Sequence, residues 1–469
     1  MPIVSAVMVP HPPIILPEVG RGEEKKIQAT TDAYEQAISG LMSADPEVIL
    51  ITSPHTVLYG DYFHISPGGS AKGSMSQFRA GDVRFSVSYD VPLVQAIARE
   101  AEAEGIPAGT LGERDPALDH GTMIPLYFIR KCAPDWRGKI VRIGLSGLPL
   151  EDHYRLGMCM NRAVDKLSRR AAFIASGDLS HKCRAEGPYG FAPQGPDYDR
   201  RIMDVMGRAA FSELFDFDEQ FLELAAECGH RSFVIMAGAL DGLALETKRL
   251  SHEDTFGVGY GVCAYRVTGE NPDRHMLEIR QKSRRERLSA MREEEDAYVR
   301  LARLSLETWI KTGKELSKQD YPADLPAEMN DRRAGTFVSL HKNGRLRGCI
   351  GTIGPTTECI AEEIVQNAVS AAVRDPRFFP VQLPELPDLE ISVDVLGETE
   401  SIESTDELDV KRYGVIVSCG GRRGLLLPNL DGVDTIEEQV RIAREKGGIR
   451  EGEPGIRYER FEVVRHGCH

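Results

Sequence analysis

No C-x-x-C pair occurs in the 469 residues, and no apolar run approaches the roughly 20 residues that a bilayer crossing needs. "FVIMAGAL" at 233–240 is among the longest. The nine cysteines, at 132, 159, 183, 228, 263, 349, 359, 419 and 468, are scattered and odd in number. That pattern fits reduced thiols and argues against both a disulfide framework and paired-cysteine structural zinc. Basic residues are outnumbered, 57 Lys and Arg against 72 Asp and Glu, for a formal charge of −15. A general binder of nucleic acid or of an anionic membrane needs the opposite balance, so neither is expected as a partner. The N-terminus has no basic stretch followed by an apolar one, which leads us to expect a cytoplasmic protein. Internal repeats and low-complexity tracts are also missing.

What is present describes a globular protein of more than one domain, at 41% hydrophobic and 28% charged residues. Short β-like runs alternate with amphipathic stretches over 1–270, the pattern of an α/β domain with a mixed sheet flanked by helices. Strands are predicted at 3–9, 47–53, 139–146, 171–176 and 257–267. Helices are predicted at 24–43, 92–104, 151–168, 197–208 and 217–243, the last broken near Gly229. The segment 271–296 is charged and lacks a strand pattern, so it reads as a partly helical linker. A second domain, 297–469, mixes strands at 335–344, 389–397 and 413–419 with helices at 357–374 and 434–446.

Three strands of the first domain end in histidine. "VPHPP" carries His11, "TSPH" carries His55, and "SGDLSH" carries Asp178 and His181. A fourth, His120 in "LDHG", stands just ahead of an apolar helix. One loop histidine is most often unremarkable, but three at carboxyl ends of strands occupy the place where α/β sheets gather ligands. Neutral imidazole is the commonest metal ligand, and a further histidine suits acid–base work near neutral pH. "ECGHRS" adds Glu227 and Cys228. Two histidines with a carboxylate suit Fe(II), whereas a thiolate makes a softer site open to copper, zinc or iron. Neighbouring helical residues point about 100° apart, so both are not expected to ligate one ion. The plain alternative buries Cys228 and leaves Glu227 to cap the next helix.

Together these five motifs resemble the LigB-like class III extradiol dioxygenases, a superfamily that includes the MEMO proteins. The resemblance implies that His11 and His55 hold one divalent metal, Fe(II) first, with a late glutamate or, in the MEMO branch, a cysteine. It makes His181 the acid–base catalyst and places Asp178 and His120 in the pocket. The reaction implied is oxidative opening of a small ortho-dihydroxylated aromatic. The alternative is a non-cleaving, metal-binding adaptor or a component of RNA or protein modification.

In the second domain "LRGCIGT" at 346–352 resembles the AMMECR family, as do the blocks at 370–396 and 424–430. The resemblance implies an α+β fold without a settled reaction. Gly348 and Gly351 allow positive φ or a close backbone approach around Cys349, and Arg347 is placed to lower that thiol's pKa. "RDPRFFP", with Arg374 and Asp375, reads as a helix-ending turn or an anion-binding surface. Both family types are also associated with a radical-SAM protein, expected here as a separate partner because no C-x-x-x-C-x-x-C motif occurs. A homodimer is the default oligomer.

Overall fold

Strands buried on both faces build the centre of the first part of the chain. In the computed structural model, which describes residues 2–342, 344–430 and 432–467, the chain divides into two compact units between Gln281 and Lys282. Cys468 lies outside the described residues.

The first unit contains strands β1 (Ile3–Val9), β2 (Val48–Ser53), β3 (Ser70–Met75), β4 (Ala80–Ser88), β5 (Lys139–Gly144), β6 (Ala171–Ser176), β7 (Leu243–Glu253) and β8 (Tyr260–Glu270). Its main helices are α1 (Gln28–Met42), α2 (Val91–Ala103), α3 (His120–Cys132), α4 (Leu150–Lys166), α5 (Gln194–Arg208), α6 (Glu219–Ala225) and α7 (His230–Ala239). A six-stranded sheet runs β5-β2-β6-β1-β8-β7. The first four strands are parallel and the last two antiparallel. Every residue of β1, β2 and β6 is buried, because helices cover both faces. Ala6, Met8, Val48 and Leu50 face the side packed by α2, α4, α5 and α7. Val7, Val9, Ile49 and Ile51 face the side packed by α1 and α3. This order brings the carboxyl ends of β2, β6 and β1 side by side. Two elements depart from the sequence reading. The residues after Leu240 form the edge strand β7, and β3 pairs with β4 as a separate hairpin.

Helix α8 (Met276–Glu293) occupies most of the expected linker and contains the point of division. The second unit then has α9 (Ala297–Thr312), α10 (Ile360–Val373) and α11 (Ile436–Lys446). Strands β9 (Thr336–Lys342), β10 (Arg345–Gly351) and β11 (Leu389–Leu396) form one sheet with β16 (Val463–His466), in the order β10-β9-β11-β16. A second sheet orders β12 (Glu400–Ile402), β15 (Arg457–Phe461), β13 (Gly414–Cys419) and β14 (Arg422–Leu426). The first unit is thus mixed α/β and the second α+β.

Glu363 ties the loop after β10 to α10. Its carboxylate is 1% exposed. It accepts the Thr352 hydroxyl at 2.6 Å, the Thr356 amide and hydroxyl at 2.8 and 2.7 Å, and the Thr357 amide and hydroxyl at 2.9 and 2.8 Å. Burial alone would raise its pKa, but these donors outweigh it and hold the group below its usual value. Glu363→Gln is therefore expected to lower the second unit's stability by about 2–4 kcal/mol, seen as an earlier urea midpoint. A depressed pKa contributes stability above the unfolded-state value that disappears as pH falls through the folded one. Acid should accordingly destabilise the wild type more steeply than the variant.

Candidate metal centre

The stretch Pro10–Pro13 contains one backbone donor, because only His11 in it is not proline. Asp178 takes that donor, its Oδ1 lying 2.7 Å from the His11 amide. The end of β1 is thereby pinned to the loop leaving β6. His11 itself is 1% exposed, and its Nδ1 lies 2.9 Å from Ser176 Oγ. Ser176 donates its own hydroxyl proton to the Gly121 carbonyl at 2.6 Å, so its oxygen must accept from His11 Nδ1–H. The neutral ring then has a bare Nε2. That is the oriented donor a metal site requires.

His55 Nε2 stands 2.9 Å from this nitrogen. The His55 ring stacks on His120 with centroids 4.0 Å apart. Candidate ligand atoms of His11, His55 and His120 all lie within 4.8 Å of one another. Two nitrogens at right angles around one ion, each about 2.0–2.1 Å from it, would be about 2.9 Å apart, so the His11–His55 pair fits a shared metal. Burial, then the neighbouring His55, His120 and His181, holds His11 well below the usual imidazole range. Burial and His55 likewise bring His120 down to about 4. All three therefore favour the neutral, metal-binding form at physiological pH.

The adjacent Glu227 and Cys228 go separate ways. The Cys228 sulfur sits 3.6 Å from His11 Nε2 and accepts the Asp178 amide at 3.3 Å. Glu227 instead turns to the start of α7 and accepts the His230 amide at 2.5 Å. Burial raises its carboxyl to about 7. Glycine makes the Cys228 placement possible. A Cβ on Gly177 would collide with the Gly229 Cα, so the loop after β6 and the loop before α7 touch backbone to backbone.

His181 follows on the same loop. Its Nδ1 lies 2.6 Å from the Ala226 carbonyl, which can only accept, so Nε2 is again left free to take a proton. Burial lifts the Asp178 carboxyl to about 6, against the lowering effect of His181 and the His11 amide. A cavity of ≈ 1080 Å³ opens beside His55 and His120, with Phe78, Lys72, Arg84 and Asp119 among its walls.

In the second unit Gly348 and Gly351 belong to strand β10 and have no positive φ. They serve close approach: a Cβ on Gly348 would strike the Ala371 carbonyl of α10. The expectation that Arg347 acts on the Cys349 thiol is corrected. Its Nε and Nη2 both bond Glu385 at 3.0 Å, which absorbs its charge. Asp375 accepts the Cys349 amide at 2.9 Å and binds Arg377, while Arg374 is exposed.

The sequence profile described as the catalytic LigB subunit of aromatic ring-opening dioxygenase matches residues 5–263, more than half of the chain. The chain belongs to this family. The AMMECR1 profile matches residues 299–466, so a LigB unit is fused to an AMMECR unit. A protein of Clostridium acetobutylicum is 42% identical over 467 residues, covering 98% of each chain. One of Thermotoga maritima is 48% identical over 173 residues, 37% of this chain and 98% of its own. An uncharacterized protein of Pyrococcus horikoshii of known structure is 33% identical with a TM-score of 0.33, covering 36% of this chain and 88% of that one.

Sequence reasoning passed over several residues that shape the LigB-family site. Ser176 fixes the His11 tautomer. Ser53 donates to Asp119 at 2.6 Å, and Asp119 caps α3 through the Thr122 amide at 3.0 Å, which sets His120 at the helix start. Only the Asp119 cap has a local signal, an aspartate with a threonine three residues on.

Proposed function

We propose that the LigB unit is a mononuclear metal-dependent oxidoreductase, Fe(II) first, that opens a small ortho-dihydroxylated aromatic. The observation that carries this reading is the convergence of the bare Nε2 of His11 with His55 and His120 at adjacent strand ends. A redox-active metal held there would supply a Lewis acid and electrons toward dioxygen. The chain's own part is positional. His11 and His55 present neutral imidazoles, His120 and Phe78 wall the cavity, and His181 Nε2 receives a phenolic proton.

The position of Cys228 favours a second reading, in which a thiolate joins the ligands and the unit binds metal without cleaving a ring, as a component serving a radical-SAM partner. Oxygen uptake by the anaerobically Fe(II)-loaded full chain, tested over a panel of catechols, separates the two. The first reading expects stoichiometric uptake with a ring-opened product, and a fall in kcat of about 10²–10⁴ in His181→Ala. If no catechol supports uptake while iron stays bound, the first reading fails and the second stands.

A further inference from the structure

The cavity beside His55 and His120 is larger than one aromatic ring needs. At ≈ 1080 Å³ it reaches the upper end of the range for drug-sized ligands, so a single dihydroxylated ring leaves most of it unfilled. One wall is the hairpin β3–β4. Phe78, at its turn, meets the His120 ring with centroids 5.3 Å apart, so that end of the hairpin lies at the metal centre. A Cβ on Gly73 would strike Leu118, whose amide donates to the Lys72 carbonyl at 3.0 Å. The Arg84 carbonyl accepts from Arg130 Nη1 of α3 at 3.2 Å. Backbone groups thus hold the wall in place and leave its side chains to meet a ligand.

The ladder decides which side chains line that wall. Lys72 pairs with Ser86 and Ser74 with Arg84, so the four share one face, and all four line the cavity. Arg114, from the loop before α3, joins them. Among the described residues no carboxylate pairs with Lys72, Arg84 or Arg114, although the chain's formal charge is −15. Arg84 Nε bonds the Gly81 carbonyl, and Arg114 lies over the Tyr59 ring. The acids of the cavity are engaged elsewhere, Asp119 by Ser53 and Thr122 and Asp115 by the Ala117 amide at 2.9 Å. Beside Asp119 the balance differs. Arg142 is 2% exposed, bonds oxygens of Ser66 and Ala117 at 2.7 Å, and has Glu113 and Asp119 each 3.8 Å away. Its charge is answered, and those on the hairpin and its neighbouring loop are not.

We propose that the substrate carries a phosphate-type dianion on a tail of two or more atoms from its dihydroxylated ring, held by Lys72, Arg84 and Arg114; this rests on the ring-opening reading of the metal centre. Three uncompensated cations exceed what one carboxylate neutralises. Ser74 and Ser86 add neutral donors suited to the several terminal oxygens of a phosphate. A carboxylate fixed on the ring would instead sit beside His120, where Arg142 is already paired. From the Ser74–Arg84 pair to the Lys72–Ser86 pair the hairpin climbs about 7 Å, the span a tail would follow.

Calorimetric titration of the anaerobic Fe(II)-loaded full chain with 4-(2-phosphonoethyl)catechol, 4-propylcatechol and 3,4-dihydroxybenzoate tests this. The phosphonate is expected to bind at least about tenfold more tightly than the propyl compound at low salt, through several exposed ion pairs, and to lose most of that advantage near about 0.5 M salt. Lys72→Gln combined with Arg84→Gln should abolish the preference while 4-propylcatechol binds as before, and Lys72→Arg should keep it. Both side chains are exposed, so the fold tolerates the changes. Equal affinity for phosphonate and propyl compound, a preference that survives the double variant, or tighter binding of the benzoate than of the phosphonate would each overturn the proposal. If none of the three binds, the ring-opening reading fails, and pyrophosphate titrated into the metal-free chain decides the anion site. Binding that the double variant loses supports the site, and no binding overturns it. None of these readouts depends on oxygen uptake, so ring opening can fail while the anion site stands.

Discussion

His11→Ala and His55→Ala are each expected to lower metal affinity by at least about a hundredfold, since even the outer partners of ligating histidines are worth 10–100-fold. Each variant removes one of two nitrogens that face each other at 2.9 Å. His11 is the more severe loss. Its ring is held by Ser176, its amide by Asp178, and its Nε2 is the atom that Cys228 also approaches. His55 is less enclosed, so its removal leaves the fold closer to wild type. Metal content after anaerobic dialysis against a weak chelator reads the effect, with circular dichroism to show that both variants fold. Wild-type metal retention in either variant would remove that residue from the site.

Gly177→Ala is expected to weaken metal binding by about 10–100-fold and to cost about 1–3 kcal/mol of stability. The added methyl meets the Gly229 backbone, and neither partner has a side chain that could swing away. The two loops must separate. Cys228 then moves off His11, and the Asp178 amide loses the sulfur it donates to. Gly269→Ala is the control, because nothing lies within 4 Å of a Cβ there. Metal titration with thermal melts distinguishes the cases, and a Gly177→Ala chain that binds metal like wild type would mean that the glycine contact does not position the centre.

The histidine-bearing strand ends were legible because β1, β2 and β6 are buried on both faces and read as unbroken apolar runs that stop abruptly. Their adjacency was not. It depends on sheet order, which no local pattern encodes. The edge strand β7, "LALETKRLSHE", is half exposed and charged, so it lacks an apolar run. The hairpin strand "SAKGSM" has no β-branched residue to signal it. Ser176 acts through space on a ring far away in sequence. Arg347 shows the converse error. Nearness in sequence suggested an effect on Cys349, while Glu385, from another segment, takes the charge.

In either reading the geometry puts Cys228, not Glu227, beside His11 at the metal position. Titrating the metal-free full chain with Co(II) and following sulfur-to-metal charge-transfer absorption tests this most directly. The geometry predicts the band in wild type and in Glu227→Gln, and its loss in Cys228→Ser. A wild-type spectrum without the band, or a band that survives Cys228→Ser, would contradict it.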